Sequence, residues 1–389
     1  MIPAVTGLRQ VSQNAATGAT VFAWDVVAEA DTYAVMVDGL TVAQVPATAS
    51  PQVTINASAG SHALGVAPVA AATPPATLRF TVPAGGLKVA VGGMVDRFGV
   101  PASPTFDWME GYVVSSRWDQ LQASEGAAIT PGNPLDLAIA NVRTWNAGHS
   151  VQRGLRHRLL MSQPTTPAWP QLIGGAAVRV TDVQGNSGLV GHYWTSAYQA
   201  AYADLQAKLA AEYDQVPEVR ENGLSGAALV FAEPYLHYDS AALLGAGDTL
   251  AADIASYAAM MNAHLVWGRT LQDLSLNPAD FPGEGGITFT LAGIAAFRHL
   301  FGSQGVLMNM SLRATGLSSD YTTMYAAITA AGPPIAFQTA TVARMGDPAT
   351  TFVKAVAYGA HSLELPVGYA SFAPALLAQY QAALLANPA

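Results

Sequence analysis

Two glutamates stand where acid chemistry could be done. Glu233 directly follows the apolar run Gly226-Ala227-Ala228-Leu229-Val230-Phe231-Ala232, and Glu364 lies in His361-Ser362-Leu363-Glu364-Leu365-Pro366. A carboxyl at the end of an apolar strand is held by the strand yet faces the polar edge of a domain. Two such groups could cleave a glycosidic bond. One protonates the leaving oxygen, and the other stabilises the oxocarbenium-like centre or activates water. Aromatic residues crowd the same segments: Trp118, Trp169, Trp194 and Tyr235. Their faces suit the apolar C–H faces of sugar rings. Gln338, Arg117, His237 and Asn309 add hydrogen-bonding groups for a substrate. Arg117 and Arg158 have a second reading, since an arginine inside a barrel commonly holds a carboxylate in place. For Glu364 that reading is a salt bridge to Arg344 or Arg97.

Other chemistries find little support. The chain has no cysteine, which removes thiolate nucleophiles, disulfides and iron–sulfur clusters. Its eight histidines form no H-x-x-x-H or H-E-x-x-H pattern, so no metal site is expected. No G-x-S-x-G marks a serine nucleophile. No G-x-G-x-x-G follows a strand, so no dinucleotide cofactor is expected, and the reading requires no cofactor at all. A net charge of −9 disfavours nucleic acid as a partner. The uncharged stretches 39–78 and 321–343 are interrupted by prolines and polar residues and are not membrane spans.

The elements that position these groups divide at about residue 85. From 86 to 389, apolar runs of four to eight residues alternate with helical patterns. The expected strands are Val89–Val95, Gly111–Trp118, Arg156–Ser162, Gly226–Ala232, Gln272–Asn277, Gly305–Leu312, Pro334–Thr341 and His361–Pro366. Apolar strands linked by helices form a parallel sheet buried on both faces. Eight units in roughly 300 residues fit a (β/α)8 TIM barrel, an α/β fold with its active site at the C-terminal ends of the strands. An open doubly wound sheet is the alternative. Strands four and eight lie opposite each other, so Glu233 and Glu364 would be roughly 6.5–9.5 Å apart for an inverting reaction and about 5–5.5 Å for a retaining one.

Residues 1–85 differ. Short alternating runs separated by Gly, Asp, Asn, Pro and Ser predict a small all-β sandwich of immunoglobulin type. Asp38-Gly39 marks a hairpin turn, and Trp24 and Tyr33 are core candidates. Pro3 to Leu8, the Trp24 strand and Ala30-Asp31-Thr32-Tyr33 leading into Val37-Asp38-Gly39 resemble a fibronectin type III module. Leu64 stands near the place of that family's sixth-strand tyrosine. The resemblance implies a spacer or binding platform.

The barrel region has a resemblance of its own. Phe231-Ala232-Glu233-Pro234 looks like the fourth-strand Asn-Glu-Pro of the clan of retaining (β/α)8 glycosidases, which includes β-galactosidase-like and cellulase-like members. Arg158 to Ser162 with Pro167-Ala168-Trp169 resembles their third strand and loop, and Trp194 to Asp214 their following helix. The resemblance covers most of residues 90–385 and implies that Glu233 is the acid/base. Two positions depart from it. Ala232 replaces the asparagine that binds the sugar 2-OH, and Gln338 stands where the nucleophilic glutamate belongs. Glutamine cannot form the glycosyl ester. The chain is then a degenerate member, or its second carboxylate has moved to Glu364, or position 338 was deliberately changed from glutamate.

These readings predict a glycosidase acting on a bacterial cell-envelope polysaccharide. Three lysines against fourteen arginines suggest a GC-rich source. A spacer module and an N-terminus without a secretion signal suggest an extracellular or virion-associated protein, such as a phage tail enzyme, joined to a virion or cell surface through the N-terminal module. The competing expectation is a non-catalytic glycan-binding or structural tail protein on a decayed barrel.

Overall fold

The computed structural model describes residues 2–13, 20–55, 60–70, 74–82, 86–100, 106–181, 185–225, 240–278 and 287–389. Its first seven strands are β1 (Arg9–Gln13), β2 (Thr20–Ala23), β3 (Thr32–Val37), β4 (Leu40–Pro46), β5 (Gln52–Ile55), β6 (Gly60–Pro68) and β7 (Ala76–Val82). They form two antiparallel sheets, ordered β1-β2-β5 and β4-β3-β6-β7. In β3 burial alternates, with Tyr33, Val35 and Val37 turned inward beside Phe22, Trp24 and Leu64. Between β3 and β4 the chain reverses through Asp38 (φ 50°) and Gly39 (φ 89°). Positive φ at both positions suits the twist of a two-residue hairpin, and glycine adopts it without a Cβ clash.

The remaining strands are β8 (Gly93–Asp96), β9 (Gly111–Arg117), β10 (Gly154–Leu160), β11 (Val178–Thr181), β12 (Ser187–Val190), β13 (Val219–Gly223), β14 (Leu271–Leu276), β15 (Gly305–Leu312), β16 (Ile335–Thr339) and β17 (Ser362–Leu365). Eight of them close a parallel barrel in the order β8, β9, β10, β13, β14, β15, β16, β17, with β17 returning to β8. Strands β11 and β12 pair as a small antiparallel hairpin in the loop after the third barrel strand. Helices follow the strands from the second onward and pack on the barrel's outer face. The Pro134–Asn146 helix begins at Asn133, whose side chain accepts from the backbone N–H groups of Leu135 and Asp136.

The fourth barrel strand is Val219–Gly223 rather than Gly226–Ala232, and the latter run lies outside the described residues. Val-Arg-Glu-Asn-Gly is not among the strands expected from sequence, since it holds no apolar run. Here the barrel supplies partners on both faces. Glu221 pairs with Arg156 inside, and Asn222 bonds His157 on the helix side.

The barrel interior is divided. Val91, Val95 and Val113 fill one part, and Leu271, Val306, Met308, Met310 and Ala336 another. Arg156, Glu221, Asp273 and Glu364 lie among them, with the Val91 N–H donating to Glu221 at 2.7 Å and Glu364 the register partner of Val95. The antiparallel sheets meet the barrel's helices, where Asn262 donates to the Thr41 carbonyl and His299 bonds the Asp38 carbonyl.

Candidate active site at the barrel mouth

On the third strand, period two turns Arg156 and Arg158 to the same face, into the barrel. From the eighth, Glu364 points at both. Arg156 donates to Glu364 Oε1 at 2.7 Å, and Arg158 Nη2 donates to Oε1 and Oε2 at 2.8 and 2.9 Å. Glu364 has no solvent-exposed surface. Burial pushes its carboxyl up, but Arg158 and Arg156 outweigh burial and hold it below the usual carboxylate range.

Arg156 organises a deeper layer. Its Nε bonds Glu221 and its Nη2 donates to Ser362 Oγ at 3.0 Å. Burial raises the Glu221 carboxyl and Arg156 lowers it further, leaving a pKa of about 2. Asp273 lies 3.1 Å from Arg156 Nε. It is pushed well above the carboxylate range by burial first and by the charge of Glu221 second. Two guanidiniums, Arg156 and Arg158, thus stand among three buried carboxyls, Glu221, Asp273 and Glu364, and this mutual pairing offsets the cost of burying them.

Above this layer is the mouth. Gln338 on β16 is the register partner of Glu364. Its Oε1 accepts from Arg158 at 3.3 Å and its Nε2 donates to the Met310 carbonyl at 3.1 Å, so neighbours on both sides fix the amide. Arg117 closes β9 and pairs with Asp119 at 3.1 Å, and Gln163 donates to the same carboxylate at 3.0 Å. Arg97 crosses from the first strand to the Thr339 carbonyl at 2.9 Å.

The structure brings together Glu364, Gln338 and Arg158, with Arg117 at the neighbouring rim. The partners of Glu364 are Arg156 and Arg158, not Arg344 or Arg97. Trp118 is part of the core: 1% exposed, its indole N–H bound to Gln122 and its ring packed edge-on to Trp169, Tyr198 and Tyr202. Trp169 and Trp194 are half-buried. Trp194 stacks on His192 with centroids 4.7 Å apart. Asn309 is fully buried, donating to the Leu276 carbonyl and to Asn277 and accepting from Tyr325. Glu233, Tyr235 and His237 lie outside the described residues. Arg156, Glu221 and Asp273 were not singled out from sequence. The alternation Arg156-x-Arg158 inside an otherwise apolar strand was the available signal for the first. Among the described residues no group of three His, Asp or Glu is placed to hold a metal ion, and no helix is long and apolar enough to cross a membrane.

No protein-family model matches the sequence, and no curated protein matches it. Solved structures are similar at low identity. A β-amylase catalytic domain from Paenibacillus polymyxa is 12% identical over 70% of this chain and 91% of its own, with a TM-score of 0.47. Endo-glycoceramidase II from Rhodococcus sp. is 14% identical over 71% of this chain and 73% of its own, at 0.41. An endoglucanase from Pseudomonas stutzeri is 9% identical over 72% and 82%, at 0.39.

Proposed function

We propose that this chain is a glycoside hydrolase that cleaves a bacterial cell-envelope polysaccharide at the C-terminal mouth of its barrel, by two-carboxylate chemistry. The observation that carries the reading is the Glu364 carboxylate. It projects from the eighth strand beside Gln338, and two guanidiniums keep it ionised. An ionised carboxylate at this end of a (β/α)8 barrel suits a base or an electrostatic partner for an oxocarbenium-like centre. Glu233 would be the general acid. Arg117, Gln338, Trp169 and Trp194, with Tyr235 and His237, would bind the sugar chain. Residues 1–85 would form a fibronectin type III-like module that joins the 86–389 barrel to a virion or cell surface, as in a phage tail enzyme.

The test is reducing-sugar release from bacterial cell-wall polysaccharide by the wild type beside Glu233→Ala and Glu364→Gln. Loss in both variants, with fold retained, supports the hydrolase. Proton NMR of the first anomer released separates inversion from retention.

A second reading is a non-catalytic glycan-binding protein on a decayed barrel. The enclosure of Glu364 favours it, because every oxygen of that carboxylate already accepts from arginine and none is exposed. Polysaccharide binding without turnover in the wild type would establish it.

A further inference from the structure

Two loops at the C-terminal end of the barrel are tied together beneath the surface. The loop after the third strand carries the β11–β12 hairpin and Tyr193. The segment after the fourth carries the short helix Ser240–Gly245 and leads into the helix Leu250–Ala263. The short helix packs on β11. Tyr193 donates to Asp248 Oδ2 at 3.2 Å, and the Thr249 N–H donates to Oδ1 at 2.8 Å. We infer that Asp248 and Asp253 form a proton-dependent clasp, in which one proton held by the two carboxyls keeps these loops joined and its loss releases Asp248 from Tyr193. The clasp goes beyond the glycan reading and does not depend on it.

Thr249 links the two acids. Its N–H donates to Asp248, and its carbonyl accepts from the Asp253 N–H at 2.9 Å. Asp253 is completely buried and Asp248 is 2% exposed. Among the described residues no lysine or arginine pairs with either, and the Asp253 oxygens have no hydrogen-bond partner. The titratable groups around the pair are Tyr193 and His192 from the third loop, Tyr198 and Tyr202 from the helix Ser196–Tyr213, and Tyr257 one turn along from Asp253. Of these only His192 is able to carry positive charge, and its ring is engaged by the Trp194 face and the Ala176 carbonyl. Two bare carboxylates here would stand uncompensated, which is costly in a buried place. One of them keeps its proton instead. Burial first and the charge of Asp248 second push Asp253 up to about 8. Burial, then Asp253 and Asp248, push the Tyr193 hydroxyl well above its usual value, so it stays a donor throughout.

Once the proton leaves, one carboxylate must reach water. Asp253 is held on the buried face of its helix. Asp248 stands between two exposed residues, Gly247 and Thr249, and Gly247 has a φ of 94° with open space beside it. A swing about this glycine exposes Asp248 and breaks its bond to Tyr193. Trp194 meets Tyr193 edge-on with centroids 5.0 Å apart. Release of Tyr193 therefore also loosens the ring that the glycan reading sets against a sugar.

The experiment is amide hydrogen exchange, read by mass spectrometry on the full chain at pH 6.5 and pH 9 and corrected for the intrinsic rate at each. In wild type, peptides covering 189–195 and 243–249 are expected to lose about tenfold or more in protection at pH 9, while the barrel strand 305–312 keeps its own. Asp253→Asn carries no charge at that place and should keep both peptides protected at both pH values. Asp253→Ala removes the acid in a second way and serves if the amide is not tolerated. Tyr193→Phe lacks the hydroxyl and should leave 189–195 weakly protected already at pH 6.5. Unchanged protection in wild type, a loss that the Asp253 variants share with it, or an equal loss in 305–312 overturns the clasp. None of these results bears on whether the barrel cleaves a glycan.

Discussion

Arg158 spans the barrel from the third strand, donating to both oxygens of Glu364 at 2.8 and 2.9 Å and to Gln338 Oε1 at 3.3 Å. The guanidinium thus fixes the two side chains on which the hydrolase and decayed-barrel readings divide. Glu364→Gln should expose the cost of this arrangement. It removes the charge that both Arg156 and Arg158 bond, and breaking one side of a buried pair costs about 3–5 kcal/mol. The expected loss is of that order, read as a lower urea midpoint at unchanged slope.

A buried acid pair predicts weakness on the alkaline side. Tyr193 donates to Asp248 at 3.2 Å and the Thr249 N–H to its other oxygen at 2.8 Å. Asp253 is fully buried, and its two oxygens find no hydrogen-bond partner among the described residues. Burial, then the charge of Asp248, pushes Asp253 up to about 8. A carboxyl whose pKa is raised in the folded state contributes fully to stability where both states are protonated, and that contribution is lost once the unfolded chain alone gives up the proton. Stability therefore falls as pH rises from about 4, the unfolded value, to about 8. Asp253→Asn should melt above wild type at pH 9 and show no such gain at pH 4. Thermal melts of both proteins across that range check the sign.

The barrel was legible because seven of the eight strands are mainly apolar runs, even where single polar or charged residues such as Asp273 and Glu364 interrupt them. The fourth was not, since Arg220, Glu221 and Asn222 are paid for by partners distant in sequence, Glu221 by Arg156 and Asn222 by His157. No local pattern encodes that pairing. Glu364 and Gln338 were legible as strand-end polar groups, and their strands are the ones expected. The enclosure of Glu364 by two arginines of a single strand was not, because it depends on barrel closure. Trp118 shows the opposite limit: a tryptophan at a strand end suits a sugar platform or a core equally, and only packing against Tyr198 and Tyr202 distinguishes them.

Ser116, His157 and Asn222 have the spacing of a nucleophile, a base and an orienting group. Ser116 Oγ lies 2.6 Å from His157 Nε2, and His157 Nδ1 lies 2.9 Å from Asn222 Oδ1. All three are 1% exposed, between barrel and helices, so no substrate carbonyl can approach. A fluorophosphonate probe should leave the folded protein unlabelled at Ser116, as peptide mapping by mass spectrometry would show. Labelling there would mean that this face opens and that the geometry is more than structural.

Two buried histidines, His157 and His264, should govern acid unfolding. Burial lowers His157 to about 4, against a smaller upward pull from its bond to Asn222. Burial likewise lowers His264 to about 3, although its Nδ1–H donates to Gln272 Oε1 at 2.7 Å. Both rings stay neutral in the fold, whereas an unfolded histidine takes a proton near pH 6.5. Their contribution is complete above about 6.5 and is lost as pH falls toward the two folded values. Each histidine adds up to about 1.4 kcal/mol of lost stability per pH unit in that window, so the pair predicts a slope near 2.7 kcal/mol per unit between about pH 6 and 4.5. His264→Gln removes one titration and should roughly halve the slope, at some cost at pH 7 from the lost contact with Tyr202. Urea midpoints at half-unit intervals measure it, and an unchanged slope would show that His264 is not a proton acceptor on unfolding.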